Sequence, residues 1–364
     1  MLWFLIVLVG ITIIFNRLSL KYSLRGVSYK RELSKNVVEI GEIFEIITTT
    51  ENIKPLPVPF LKIIEKLPKA LYYSGVSNYK ITEDYFQFIS TFFIMPYQRV
   101  KRVYPVYSEE RGYFTFRQVE LEIGDFIGIR DTAETINYLQ ELVVLPNILD
   151  LDENLIPYGN YYGDISVKRW IIDDPLMSVG IREYTGNEPE KHIHWPSSLK
   201  YGNLMVKNFD FTTDNSVDII LNIECTKPFW AGINKDEIEA CISLCRGVVE
   251  ELEYSKIPYS FVNNSYGGYR GEEIRFNNYD DILIALGKIA YGMAIQFEKL
   301  MEDIIRKGKS FTTIVIITPR VFDSYIEYLD KLRQNNNKLI LISLDDKGLD
   351  KLDSSIIKYV RRIL

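Results

Sequence analysis

Val217-Asp218-Ile219-Ile220-Leu221-Asn222-Ile223 is an apolar run broken only by one acid and one amide, and its reading decides the fold of the C-terminal half. A continuous run of this kind predicts a strand covered on both faces, as in parallel sheets. Downstream, Lys235 to Ser255 sets Ile238, Ile242, Cys245, Val249 and Leu252 at helical spacing, with Cys241 and Val248 beside them. Tyr259 to Asn263 reads as a second strand, and Thr312 to Thr318 and Lys338 to Leu344 as two more. Asp280 to Tyr291, Ile295 to Lys307 and Asp323 to Gln334 read as helices, with Asp350 to Leu364 as a closing one. Alternation of strand and helix implies right-handed crossovers and a doubly wound α/β domain over residues 216–364. Ligands of such sheets sit outside the carboxyl ends of the strands, here Asn222 to Thr226, Asn263 to Ser265, Thr318 to Arg320 and Leu344 to Asp346. No GxGxxG or GxxxxGK[ST] run is present, so nothing points to a dinucleotide or P-loop nucleotide site.

Upstream, the period changes to two. Val37 to Thr48 reads as two strands about a turn at Gly41, and Phe60 to Glu65, Tyr85 to Ile94, Gln98 to Tyr107, Tyr113 to Ile123 and Glu141 to Leu145 as further strands. Short strands at close spacing with no amphipathic helix between them predict an immunoglobulin-like β-sandwich over residues 30–150. Residues 151–215 then form a connecting segment.

Met1 to Phe15 carries no charge. As a helix it would rise about 22 Å, and extension through Leu18 and Leu20 with Arg17 snorkelling reaches the ~30 Å of a bilayer core. Arg17, Lys21, Arg25, Lys30, Arg31 and Lys35 follow it, against the single acid Glu32. The expectation is an uncleaved transmembrane helix over residues 1–20, cell-membrane placement as a single-pass protein, and the bulk of the chain cytoplasmic.

The 364 residues, 47% apolar and 25% charged, suit two folded domains, and 25 Tyr with 19 Phe suit strands. A net charge of −6 argues against a nucleic-acid partner, since phosphate binding needs a basic surface. Cys225, Cys241 and Cys245 are too few and odd in number for a disulfide framework, and no CxxC or HExxH spacing suggests zinc. Cys241 and Cys245 lie i, i+4 on the inward face of their helix and read as small buried hydrophobes rather than ligands.

One stretch follows no simple period: Ile181-Arg182-Glu183-Tyr184-Thr185-Gly186-Asn187, then Ile193-His194-Trp195-Pro196-Ser197-Ser198-Leu199-Lys200-Tyr201-Gly202-Asn203-Leu204-Met205-Val206-Lys207-Asn208-Phe209. It resembles the signature of the family called domain of unknown function 58. Arg182, Tyr184, Gly186, Ile193, Trp195, Ser198, Gly202, Leu204, Val206, Lys207 and Phe209 fall on its positions, while Asn187 and Pro196 depart from the usual Asp and Lys. The resemblance implies a von Willebrand factor A-like α/β domain with no established catalysis, whose relatives accompany MoxR-type AAA+ ATPases as adaptors. It further implies a degenerate magnesium site. Where intact domains carry D-x-S-x-S, this chain has Asn222-Ile223-Glu224-Cys225-Thr226, so Asn222, Glu224 and Thr226 are the candidate oxygen ligands.

Two readings of the signature stand side by side. In one, Trp195 fills a seam between the sandwich and the α/β domain, and Arg182 and Glu183 form buried or interfacial pairs. In the other, Arg182, Tyr184, His192, His194 and Lys207 line a partner surface, because Arg and Tyr are enriched at binding hot spots. The expected function is a membrane-anchored protein-binding scaffold and not an enzyme. Its alternatives are an envelope-facing binding module and a hydrolase using Ser197, Ser198 or Cys225 with His192 or His194 as base.

Overall fold

The computed structural model describes residues 3, 10, 26–73, 79–81, 85–124, 131–158, 178–185, 190, 193–209, 216–266, 276–307, 312–335 and 337–361. The chain divides into two units, Met1–Leu145 and Pro146–Leu364.

In chain order the first unit contains β1 (Val27–Leu33), β2 (Val37–Val38), β3 (Phe44–Asn52), β4 (Val58–Pro68), β5 (Leu71–Tyr73), β6 (Tyr79–Ile81), β7 (Tyr85–Ile94), β8 (Arg99–Ser108), β9 (Gly112–Gly124) and β10 (Asp131–Val144). Their period-two side-chain alternation builds two sheets, ordered β1-β3-β8-β5 and β2-β10-β9-β4-β7-β6. All pairs are antiparallel except β2 with β10. On β3 the pattern is explicit: Phe44, Ile46, Thr48, Thr50 and Asn52 are buried and the residues between them are not. Phe44, Ile46 and Val106 of the first sheet share a core with Leu67, Phe88 and Phe116 of the second. Each such side chain contributes about 1.5–3 kcal/mol through burial. Gly41 takes φ +79° in the turn between β2 and β3, a conformation that costs a residue with a Cβ.

Two charged side chains interrupt this apolar interior. Arg31 on β1 is 0% exposed and Glu65 on β4 is 2% exposed. Burial pushes the Glu65 carboxyl from 4.5 up to about 8. Between those values the folded unit keeps a proton that the unfolded chain releases, so stability falls as pH rises, by at most about 1.4 kcal/mol per pH unit. Thermal unfolding of the first unit is therefore expected at lower temperature at pH 8 than at pH 5. Glu65→Gln, which cannot ionise, should flatten the profile; an unchanged slope in that variant would contradict the assignment.

The second unit contains α1 (Leu151–Asn154), β11 (Leu155–Pro157), β12 (Ser178–Glu183), α2 (Trp195–Tyr201), β13 (Met205–Phe209), β14 (Val217–Leu221), α3 (Lys235–Tyr254), β15 (Tyr259–Asn263), α4 (Tyr279–Lys288), α5 (Phe297–Lys307), β16 (Thr313–Thr318), α6 (Asp323–Gln334), β17 (Lys338–Ser343) and β18 (Ile357–Arg361). Its six-stranded sheet is ordered β11-β18-β17-β16-β14-β15, parallel apart from β11. Every residue of β14 and β16 is buried. α5 and α6 pack through Phe297, Leu300, Met301, Tyr325, Leu329 and Leu332 on the sheet face carrying Ile220, Ile314, Ile316 and Leu341. α3 begins at Asn234, whose side chain accepts from the Glu237 N–H as an N-cap, and buries Ile238, Ile242, Cys245 and Val249. β12 and β13 form a separate antiparallel pair.

This architecture corrects the expected fold class of a transmembrane helix, an immunoglobulin-like sandwich and a doubly wound von Willebrand factor A-like domain. Among the described residues strand predominates, at 44% against 27% helix. The parallel strands of the second unit run β15-β14-β16-β17-β18, and its antiparallel edge comes from Leu155–Pro157, ahead of all of them. The last crossover carries only a 3-10 turn, Leu349–Lys351. The closing helix expected over Asp350 to Leu364 is instead that turn followed by β18. Ser355 donates from both N–H and Oγ to Asp353 Oδ1, at 2.8 and 2.7 Å, which turns the chain before a helix can propagate. Ile357 then pairs with Ile340.

The single-pass membrane placement is corrected as well. Among the described residues no helix is long and apolar enough to cross a membrane. The longest, α3, has twenty residues but carries Lys235, Asp236, Glu237, Glu239, Arg246, Glu250, Glu251 and Glu253. The segment read as the anchor, 1–20, lies outside the described residues apart from Trp3 and Gly10. Its supposed basic flank is partly sandwich: Lys30 and Arg31 belong to β1, and a guanidinium inside a core cannot act as a membrane-facing charge.

Candidate functional site

Asn222 follows β14 directly and its N–H donates to the Ile317 carbonyl at 2.8 Å, which places its side chain at the carboxyl end of the sheet between β14 and β16. That carboxamide is fully engaged. Its Nδ2 donates to Thr318 Oγ1 at 2.9 Å and to the Tyr325 hydroxyl at 3.4 Å. Its Oδ1 accepts from the Glu224 N–H at 3.0 Å and from Asn264 Nδ2 at 2.8 Å. Asn264 Oδ1 in turn accepts from the Ile223 N–H at 3.0 Å. Asn222 and Asn264 are 0% exposed, so this network fastens the ends of three strands out of contact with bulk solvent.

Glu224 continues it outward. The Tyr325 hydroxyl donates to Glu224 Oε2 at 2.6 Å, and Lys227 Nζ lies 3.2 Å from Glu224 Oε1. Lys227 also donates to Glu298, which accepts from Ser324 Oγ at 2.6 Å. Burial pushes the Glu298 carboxyl up, but the hydrogen bonds from Lys227 and Ser324 outweigh it and hold it below its ordinary value. The ammonium lies 5.0 Å from the centre of the Tyr325 ring and 5.8 Å from that of Phe322, a cation–π arrangement. Burial, then the neighbouring Glu224, pushes the Tyr325 hydroxyl far above its ordinary value, so it stays a donor.

Asn222, Glu224 and Thr226 do not fit magnesium. The Asn222 oxygen serves two donors, and Glu224 is held by Tyr325 and Lys227. Thr226 Oγ1 faces the carbonyls of Pro228, Phe229 and Gly232. Magnesium requires near-octahedral oxygens, and Lys227 already supplies the positive charge this carboxylate needs. Among the described residues no group of three or more His, Cys, Asp or Glu could hold a metal ion.

Beside the network lies a recess of about 480 Å³, bordered by Ile223, Cys225, Trp230, Ile233, Tyr266 and Tyr291. Trp230 is 72% exposed, Tyr266 68% and Ile233 59%. Phe229 meets Trp230 edge-on at 5.1 Å. Lys235 Nζ lies 5.2 Å from the Tyr291 ring centre, setting a positive charge at one side. Cys225 is buried, which pushes its thiol up and away from the reactive thiolate.

The signature residues assemble elsewhere, on β12, α2 and β13. Arg182 pairs across the strands with Val206, and Ile181 with Lys207. The Tyr184 N–H donates to the Leu204 carbonyl at 2.8 Å. His194 caps α2: its Nδ1 lies 2.7 Å from Ser197 Oγ and accepts from the Ser197 N–H at 3.2 Å. A candidate base and nucleophile thus meet, but in the geometry of a helix cap. Gly202 ends α2 at φ +76°. Trp195 is 60% exposed and Leu199 85%, and Lys207 is exposed too. Gly186 and His192 lie outside the described residues.

Sequence reasoning missed Lys227, three residues beyond Glu224, and Tyr325 and Glu298, which only the fold brings to that pair. It missed the aromatic rim too, although Pro228-Phe229-Trp230-Ala231-Gly232-Ile233, apolar yet set between strand and helix, is a legible sign of a loop that exposes hydrophobic surface.

No family model and no curated protein matches the chain. Among solved structures, the cohesin module of a family 33 glycoside hydrolase from Clostridium perfringens is 10% identical with a TM-score of 0.24, over 32% of this chain and 96% of that one. A non-cellulosomal cohesin from Archaeoglobus fulgidus is 10% identical with a TM-score of 0.23, over 32% and 91%. The CARDB domain of a Pyrococcus furiosus protein is 13% identical with a TM-score of 0.20, over 33% and 96%. None of the three is a von Willebrand factor A domain, and likeness at such TM-scores carries no argument about function.

Proposed function

We propose that the chain is a protein-binding adaptor that seats an apolar side chain of its partner in the recess at the carboxyl end of the parallel sheet. The observation that carries this reading is the exposed rim of Trp230, Ile233 and Tyr266 around an apolar hollow. Large apolar side chains held in water without cover favour association, and Trp and Tyr dominate binding hot spots. Lys235 at the margin favours a partner segment with an acid beside its anchor. The rigid network behind the recess supplies pre-organisation, because a rim fastened by Asn222 needs little ordering on binding.

The resemblance of the signature to domain of unknown function 58 supports a MoxR-type AAA+ ATPase as the first partner to test. Pull-down of a purified ATPase of that type by the full chain, with and without nucleotide, is expected to retain it. Trp230→Ala should lose it and Trp195→Ala should not. Loss through Trp195→Ala alone would move the contact to α2, where Trp195 and Leu199 also stand exposed; retention by neither chain nor variants would end the ATPase assignment.

A further inference from the structure

The first unit holds a second site, independent of the rim. Arg31 is anchored on two sides: Nε donates to Gln140 Oε1 at 2.8 Å and Nη2 to the Tyr138 carbonyl at 3.2 Å. Gln140 returns a hydrogen bond to the Arg31 carbonyl at 2.9 Å. The guanidinium carbon stands 5.1 Å from the Phe116 ring centre. Its Nη1 is left facing Glu65 Oε1 at 3.9 Å, too far for a hydrogen bond. Among the described residues, Arg31 Nη1, Glu65 Oε1 and the hydroxyls of Tyr73 and Tyr104 are all buried without a partner. Native cores leave few polar atoms so, and each costs stability unless a molecule comes to it.

A cavity of about 470 Å³ lies beside this cluster and shares Tyr73 with it. It is lined by Leu67, Leu71, Tyr72, Tyr73, Phe86 and Phe88, with Lys69 beside them. Tyr73 joins the two: besides burial, the charges of Glu65 and Arg31 act on its hydroxyl. Tyr104 meets the cavity wall by packing edge-on against Phe88 at 5.0 Å. The walls are largely apolar, and behind Tyr73 and Phe88 stand the unpartnered donors, Arg31 Nη1 and the hydroxyls of Tyr73 and Tyr104. The carboxyl that would neutralise Arg31 is pushed up to about 8 by burial, so at neutral pH it is mostly protonated.

We propose that this unit binds a small carboxylate with an apolar tail, its head accepting from Arg31 Nη1 and the hydroxyls of Tyr73 and Tyr104, its tail lying against Leu67, Leu71, Phe86 and Phe88. One guanidinium nitrogen and two neutral hydroxyls match a monoanion, and the cavity lies in the size range of small-molecule sites.

Titration calorimetry of the full chain with decanoate tests this. One decanoate per chain is expected. Tyr73→Phe and Tyr104→Phe should each weaken it by about tenfold, as loss of one hydrogen bond to a charged group does. Both variants should unfold no lower than the parent, because each removes a hydroxyl that bonds nothing in the free protein. Decanol, with the tail but no charge, should bind at least tenfold more weakly. No binding of decanoate, equal affinity in both variants, or decanol matching decanoate would overturn the proposal and leave the polar cluster to buried water.

Discussion

Gly247→Ala is expected to destabilise the second unit by about 2–3 kcal/mol, against the ordinary rule for a glycine inside a helix. Elsewhere in a helix this change gains about 1 kcal/mol in propensity. Here α3 is docked on the segment that enters the unit: Arg246 donates to the Pro146 carbonyl, and a Cβ on Gly247 would fall well inside the Leu149 carbonyl oxygen. It would also lie 3.3 Å from the Leu149 carbonyl carbon and 3.5 Å from Leu151 Cδ2. Backbone cannot rotate away as a side-chain tip can, so the overpacking cost of ~1–3 kcal/mol is met in full, with lost contacts added. Calorimetry should show the melting temperature falling by roughly 4–12 °C. A rise would mean that α3 does not approach residue 149.

Asn222→Ala should have an effect of similar or greater size, about 3–5 kcal/mol. The substitution removes the acceptor of the Glu224 N–H and of Asn264 Nδ2, both buried, and the donor to Thr318. Each buried group left unpaired costs ~1–3 kcal/mol, and two are orphaned outright. Denaturant unfolding measures it. A loss under about 1 kcal/mol would show that water reaches the rim and that the network is not closed.

How much of this was legible in the sequence depended on range. Tyr85–Ile94, Tyr259–Asn263 and Asp323–Gln334 were marked by period and by turn residues at their ends, and the structure forms them with those bounds. Such signals are local. β10 runs from Asp131, ten residues before the strand read at Glu141, because its polar alternation Glu134-Thr135-Ile136-Asn137 becomes a strand only through pairing with β9. Arg31 looked like a membrane flank because it sits among basic neighbours; only the fold brings Gln140 and Glu65 to it. The candidate magnesium ligands also find partners that the sequence does not show. Asn222, Glu224 and Thr226 lie close in the chain, but Asn264, Tyr325 and Lys227 engage the oxygens of Asn222 and Glu224, and Thr226 turns to the carbonyls of its own loop.

On the proposed function, a partner docks at the aromatic rim beside this closed network. The most direct measurement of this is the dissociation constant of the full chain for a MoxR-type AAA+ ATPase, with and without Trp230→Ala. A side chain 72% exposed has little to do with folding, so its removal leaves stability unchanged and reads binding alone. A loss of about 2 kcal/mol or more, roughly thirtyfold in affinity, is expected. An ATPase that binds the Trp230→Ala variant as tightly as the parent would contradict it.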